Sequence, residues 1–87
     1  MGVYLVDRDL PEITREGLAM IQRAQISMCR ELTAAGQEVR YLRSMFIPGE
    51  ARCMCLFEAE DEAAVGAANL AAGLPFTRIV AALDLSP

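Results

Sequence analysis

Val39-Arg40-Tyr41-Leu42-Arg43-Ser44-Met45-Phe46, the hinge Ile47-Pro48-Gly49-Glu50, and Arg52-Cys53-Met54-Cys55-Leu56-Phe57-Glu58 form the stretch from which the rest of the chain can be read. Both flanks alternate with the period of a β-strand. Strict alternation puts Val39, Tyr41 and Met45 on one face and Leu42 and Phe46 on the other, and sets Cys53, Cys55 and Phe57 against Met54 and Leu56. Large apolar groups on both faces describe a sheet that is covered twice. The short connection makes the two strands an antiparallel hairpin.

Upstream, Val3 to Asp9 reads as a strand that Leu10-Pro11-Glu12 ends. Thr14 is a plausible N-cap, with Arg15 and Glu16 in the first turn and Gly36 as the C′ residue of a long helix. Gly17, Ile21, Ala24, Met28, Leu32 and Ala35 make its apolar stripe, widened by Leu18 and Cys29. Downstream, a second helix runs from near Asp61 to Gly73, and Pro75 follows it. It turns the small residues Ala64, Val65, Ala68 and Ala72 inward, which allows close approach to whatever it covers. Thr77 to Leu85 is the last strand. The order strand, helix, strand, strand, helix, strand is that of the split βαβ, or ferredoxin-like, α+β fold. A four-stranded antiparallel sheet then carries both helices on one face and leaves the other for a second sheet. Residues 1–87 form a single domain without repeat, linker or low-complexity segment.

Eighty-seven residues bury only about 60 to 65% of their unfolded surface alone, and a 54% hydrophobic fraction is high for that size. A homodimer through the sheet faces is the expected consequence. The net charge of -4 and the lack of any basic run argue against nucleic acid as a partner. Asp7, Arg8 and Asp9 break the first apolar run too early for a signal-peptide core. Met1-Gly2 starts like a myristoylation site, but Val6 stands where that signal needs Ser or Thr. No apolar stretch approaches the roughly 20 residues that span a bilayer. The chain therefore reads as cytoplasmic and away from membranes, with Cys29, Cys53 and Cys55 as reduced thiols.

The chain has no His, which excludes the Ser-His-Asp and Cys-His triads and every His-based zinc site. Asp7, Asp9, Glu58 and Asp84 lie at or near strand ends, where solvated charge is usual. Cys53 and Cys55 share a face about 6 to 7 Å apart along the strand, so a soft metal could bridge them, with Cys29 supplied from the first helix. The plainer reading of all three is as small buried hydrophobes. Gln25 falls inside the apolar stripe of the first helix, where an amide needs partners, and Asn69 raises the same question on the second helix. Tyr41 and Arg43, two residues apart on one strand face, could complement them. Gln25, Tyr41, Arg43 and Asn69 are thus candidates to line a ligand pocket between helices and sheet. The alternative is that Gln25 and Asn69 bond local backbone or water and Arg43 pairs with a surface carboxylate.

Three stretches, Tyr4-Leu5-Val6-Asp7-Arg8, Arg52-Cys53-Met54-Cys55-Leu56-Phe57-Glu58-Ala59 and Asn69-Leu70-Ala71-Ala72-Gly73-Leu74-Pro75-Phe76, carry a family resemblance. The chain resembles, over nearly its whole length, a small bacterial domain-of-unknown-function family that includes a Streptomyces nickel-binding protein. The resemblance implies a dimeric α/β barrel, in which two ferredoxin-like sheets face each other, and a site for nickel or another small ligand. It places histidines of the nickel-binding relative at the positions of Gln25, Tyr41 and Asn69.

Three functions are expected in turn. The first is a homodimeric protein that binds a small ligand, an organic molecule or less readily a metal such as nickel, between helices and sheet. The second is an enzyme: a cofactor-free isomerase, cyclase or monooxygenase, with Tyr41 or a carboxylate as acid or base and Arg43 steadying an anion. The third is a structural or regulatory dimerisation module.

Overall fold

A computed structural model describes residues 1–87. The elements are β1 (Gly2–Asp9), α1 (Arg15–Ala34), β2 (Val39–Ile47), a single 3-10 turn (Pro48–Glu50), β3 (Arg52–Ala59), α2 (Glu62–Ala71) and β4 (Arg78–Ala82). The four strands form one antiparallel sheet in the order β2-β3-β1-β4. This is the ferredoxin-like α+β arrangement expected from the element order.

The caps are set by the residues at the helix ends. Thr14 is extended, and its hydroxyl accepts from the Gly17 N–H at 3.0 Å, closing one of the open donors of α1. Asp61 does the same for α2 through the Ala64 N–H at 2.9 Å. Past the other end of α1, Gly36 adopts φ 99°, which a side chain would resist. The hairpin turn closes through Ala51, which takes φ 52° despite its Cβ, while the Leu10 N–H donates to the Ala51 carbonyl at 2.7 Å.

Both helices lie on one sheet face. Beneath them β3 buries Cys53, Cys55, Phe57 and Ala59, β1 buries Val6 and Arg8, and α2 buries Ala64, Val65 and Ala68. On the opposite face Leu5, Met54, Leu56 and Val80 are half-buried and no helix covers them. No helix is long and apolar enough to cross a membrane.

Strict alternation fails in β2, and the failure matters. Tyr41 pairs with Phe57 while Arg43 pairs with Leu56, so Leu42 is an extra residue in a β-bulge. Past the bulge the parity inverts. Ser44 pairs with Cys55 and Phe46 with Cys53 on the helix-covered face, whereas Arg43 and Met45 turn to the open one. The expectations that Tyr41 shares a face with Arg43 and with Met45, and that Phe46 lies opposite Tyr41, are therefore corrected.

β4 is also shorter than the expected Thr77 to Leu85. It stops at Ala82, and Asp84 accepts from Arg43 at 2.9 Å. Arg43 belongs to the edge strand opposite β4, so the segment after Ala82 leaves the ladder and crosses the open face toward it. A third correction concerns Asp7. It lies on the open face and is only 4% exposed, because Arg52 from β3 and Arg78 from β4 close over its carboxylate.

Candidate functional site

The covered face of the sheet is apolar except along one seam between α1 and the β2–β3 hairpin. Gln25 occupies the centre of the α1 stripe and is 2% exposed, with Cys29 one turn beyond it. Neither the Gln25 Oε1 nor its Nε2 has a hydrogen-bond partner. The amide lies beside the Cys55 sulfur without closing a bond of good geometry. An unpaired buried amide costs on the order of 1 to 3 kcal/mol, so its position calls for a cause.

A chain of donors converges on the same sulfur. Gln22 Nε2 donates to the Tyr41 hydroxyl at 3.2 Å, Tyr41 and Ser44 share a bond of 2.5 Å, and Ser44 donates to Cys55 Sγ at 3.1 Å. Because Tyr41 receives a proton from Gln22 and Ser44 gives one to Cys55, the bond between them runs from Tyr41 to Ser44. Cys53 Sγ lies 3.7 Å from Cys55 Sγ. The Cys53 thiol donating to Cys55, helped by Ser44 and the nearby Arg8 cation, draws the first ionisation of the pair below the ordinary thiol range; the thiol that remains is pushed up. Burial raises the Tyr41 phenol, and it pushes the Cys29 thiol up to about 11. Tyr41 also meets Phe57 edge to face, 5.6 Å between ring centres, which fixes the ring that carries the hydroxyl.

The seam has room beside it. A cavity of about 340 Å³ is lined by Leu18, Gln22, Gln25, Ser44, Phe46 and Cys53, with exposed Ser44 and Gln22 at its mouth. A larger hollow of about 770 Å³ lies farther along α1, lined by Cys29, Thr33, Arg40, Tyr41 and Glu58.

On its other side the seam meets a buried cation. Arg8, opposite Cys53 in the ladder, is 1% exposed beneath α2. It donates to Asn69 Oδ1 at 2.6 Å and to the Pro75 carbonyl at 3.3 Å, while its Nε has no partner. No carboxylate pairs with it; the five ion pairs of the chain join Arg40, Arg43, Arg52 and Arg78 to Asp or Glu. Asn69 is satisfied on both sides, because its Nδ2 also donates to the Val65 carbonyl at 2.9 Å.

Of the four candidate pocket residues, Gln25 lines the smaller cavity and Tyr41 the larger hollow, joined by the bonds of Tyr41 to Gln22 and Ser44, and Asn69 reaches the seam through Arg8. Arg43 stands on the opposite sheet face, bound to Asp84. Cys53 and Cys55 meet, but Cys29 joins no cluster with them, and no group of three His, Cys, Asp or Glu side chains converges anywhere. Sequence reasoning missed Arg8, Ser44 and Gln22. Arg8 was detectable, since Tyr4, Val6, Arg8 and Leu10 keep one parity; Ser44 was hidden by the bulge.

A family model described as "Nickel responsive protein SCO4226-like" matches residues 4–81. Among solved structures, SCO4226 from Streptomyces coelicolor A3(2) matches with a TM-score of 0.80 over 98% of this chain and 99% of that one. The two are 19% identical, so that likeness is one of fold. No curated protein matches the sequence.

Proposed function

The chain belongs to the SCO4226-like family of nickel-responsive proteins, and from that premise we propose that it is a small homodimeric binding protein whose ligand sits at the seam between α1 and the β2–β3 hairpin. One observation carries the reading: Gln25 keeps a fully buried amide, unpaired at both ends, over a cavity that also meets Ser44 and Cys53. Leu at that position would fill the stripe at no desolvation cost. An amide kept there is explained by a guest that bonds to it. Tyr41 acts through Gln22 and Ser44, the two residues at the cavity mouth that its hydroxyl bonds, and Phe57 holds its ring. Asn69 acts at one remove, by fixing Arg8.

Nickel does not fit these residues. Ni(II) prefers nitrogen and oxygen donors such as imidazole, in square-planar or octahedral sets. The chain has no His, and the seam offers two thiols, two amides and two hydroxyls, with no third His, Cys, Asp or Glu beside the thiols. Whatever the seam holds, it holds with a different donor set.

The open sheet face is the proposed dimer surface. A compact monomer of 9.5 kDa exposes about 5,000 Å², whereas this chain exposes 5526 Å². Leu5, Met54, Leu56 and Val80 form an apolar patch that no helix covers and only the segment after Ala82 crosses, rimmed by the ion pairs of Arg43 and Asp7. A second copy facing it satisfies both features. Three free thiols fit a reducing, cytoplasmic setting.

Native mass spectrometry of the protein as isolated, with elemental analysis, tests the reading. The expected spectrum is a dimer carrying extra mass that is absent from Gln25→Leu. A bare mass in the wild type, with Gln25→Leu altering stability alone, would overturn it.

A further inference from the structure

We propose that the Cys53–Cys55 pair is a binding site for a single soft, monovalent metal ion of the Cu(I) class, entering past Ser44 and charge-balanced by Arg8. This rests on the seam being a binding site and names what it binds.

The spacing of the sulfurs is the first support. Two metal–thiolate bonds of about 2.3 Å separate their sulfurs by about 3.8 Å at a tetrahedral angle and about 4.0 Å at a trigonal one. The Sγ atoms stand 3.7 Å apart, so an ion could enter with little movement of either side chain. A disulfide is the competing use of two thiols. It would have to draw together alternate residues of an extended strand, whose Cα atoms lie about 6.5 to 7 Å apart, at the outer limit for that bond. The strand geometry suits a bridging ion better.

Charge is the second. Arg8 brings one positive charge to the covered face and has no carboxylate partner. A lone buried cation is costly until an anion meets it. Cu(I) held by two thiolates carries a net charge of minus one, which Arg8 neutralises. A divalent ion on the same two thiolates is neutral and leaves Arg8 unmatched. The donor set agrees, since thiolate sulfur selects soft ions.

The orphaned amide is the third. Gln25, 2% exposed and beside Cys55, offers an unpartnered Nε2–H that can donate to the Cys55 thiolate once the ion is bound. On binding, whatever protons the pair still holds pass to solvent as the two sulfur–copper bonds form. No electron is transferred, and the ion remains Cu(I).

The test is anaerobic titration of the reduced protein with Cu(I) against a chromogenic Cu(I) chelator, beside parallel titrations with Zn(II) and Ni(II). One Cu(I) per chain is expected, with Cys53→Ser and Cys55→Ser each weakening it at least tenfold and Cys29→Ser leaving it unchanged. Arg8→Met should lower the preference for Cu(I) over Zn(II) at least tenfold, and Arg8→Lys should restore it. X-ray absorption on the wild type replaces the cysteine variants if they do not fold, with two sulfur neighbours expected at copper. Undiminished binding in both cysteine variants, copper without sulfur neighbours, or Zn(II) or Ni(II) bound as tightly as Cu(I) would overturn the proposal. A co-purified organic mass without Cu(I) uptake would overturn the ion and leave the binding function standing. An empty seam that takes up no ion would overturn both.

Discussion

Gln25 and Asp7 are two buried polar residues with opposite circumstances. Asp7 is held by Arg52 and then Arg78, which keep its carboxyl below the usual carboxylate range against the opposing effect of burial. Its folded pKa thus lies below the unfolded value of about 3.9, so its contribution is complete above roughly pH 5 and is lost as pH falls through that range. Both arginines are partly exposed, and solvent screens them. Asp7→Asn should therefore cost about 1 to 2 kcal/mol at pH 7. The difference from wild type should shrink progressively as pH falls below the unfolded carboxylate range, as urea unfolding across an acid pH series would show; a pH-independent difference would mean that packing, not charge, is what Asp7 provides. Gln25 has no such partners. It was legible in the sequence because helix phase alone put an amide in an apolar stripe. Arg8 was passed over because a charged residue near the end of a strand is usually solvated, and only α2 closing over it makes it a buried cation.

At the level of elements, periodicity and capping residues located every helix and strand. Thr14, Asp61 and Gly36 act where their chemistry predicts. Periodicity could not reveal the bulge at Leu42, because an inserted residue leaves the strand's composition unchanged and inverts only the positions beyond it. That one residue moves Ser44 under α1 and turns Arg43 outward, and so decides which side chains make the seam. Deleting Leu42 should therefore keep Val39, Tyr41, Ser44 and Phe46 on the covered face, because the remaining residues of β2 then pair with β3 without interruption. The expected loss is below about 3 kcal/mol by denaturant unfolding, no more than one leucine side chain contributes. A larger loss would show that the bulge itself, and not only the parity it sets, holds the strand. The end of β4 was illegible for a related reason. Leu83 and Leu85 alternate like strand residues, yet the Asp84–Arg43 bond draws the chain from the edge.

In the molecule as a whole, 14 of 87 residues are buried, a thin core that is consistent with a second sheet completing it. Leu56→Arg puts a charge at the centre of the open face of each copy, and on a two-fold axis like charges meet. It should weaken the dimer at least tenfold by analytical ultracentrifugation and leave the monomer fold intact; an unchanged dimer would place the contact elsewhere. The proposed ligand seam lies under the helices, on the sheet face away from the proposed interface, and a ligand held there would trade against stability. Thermal unfolding compared among the protein as isolated, the same protein after unfolding, dialysis and refolding, and a refolded Gln25→Leu variant tests this most directly. Stripping should lower the wild-type midpoint, and Gln25→Leu should exceed the stripped wild type by about 1 to 3 kcal/mol, the cost of the unpaired amide. A wild type indifferent to stripping, with Gln25→Leu no more stable, would contradict a binding seam.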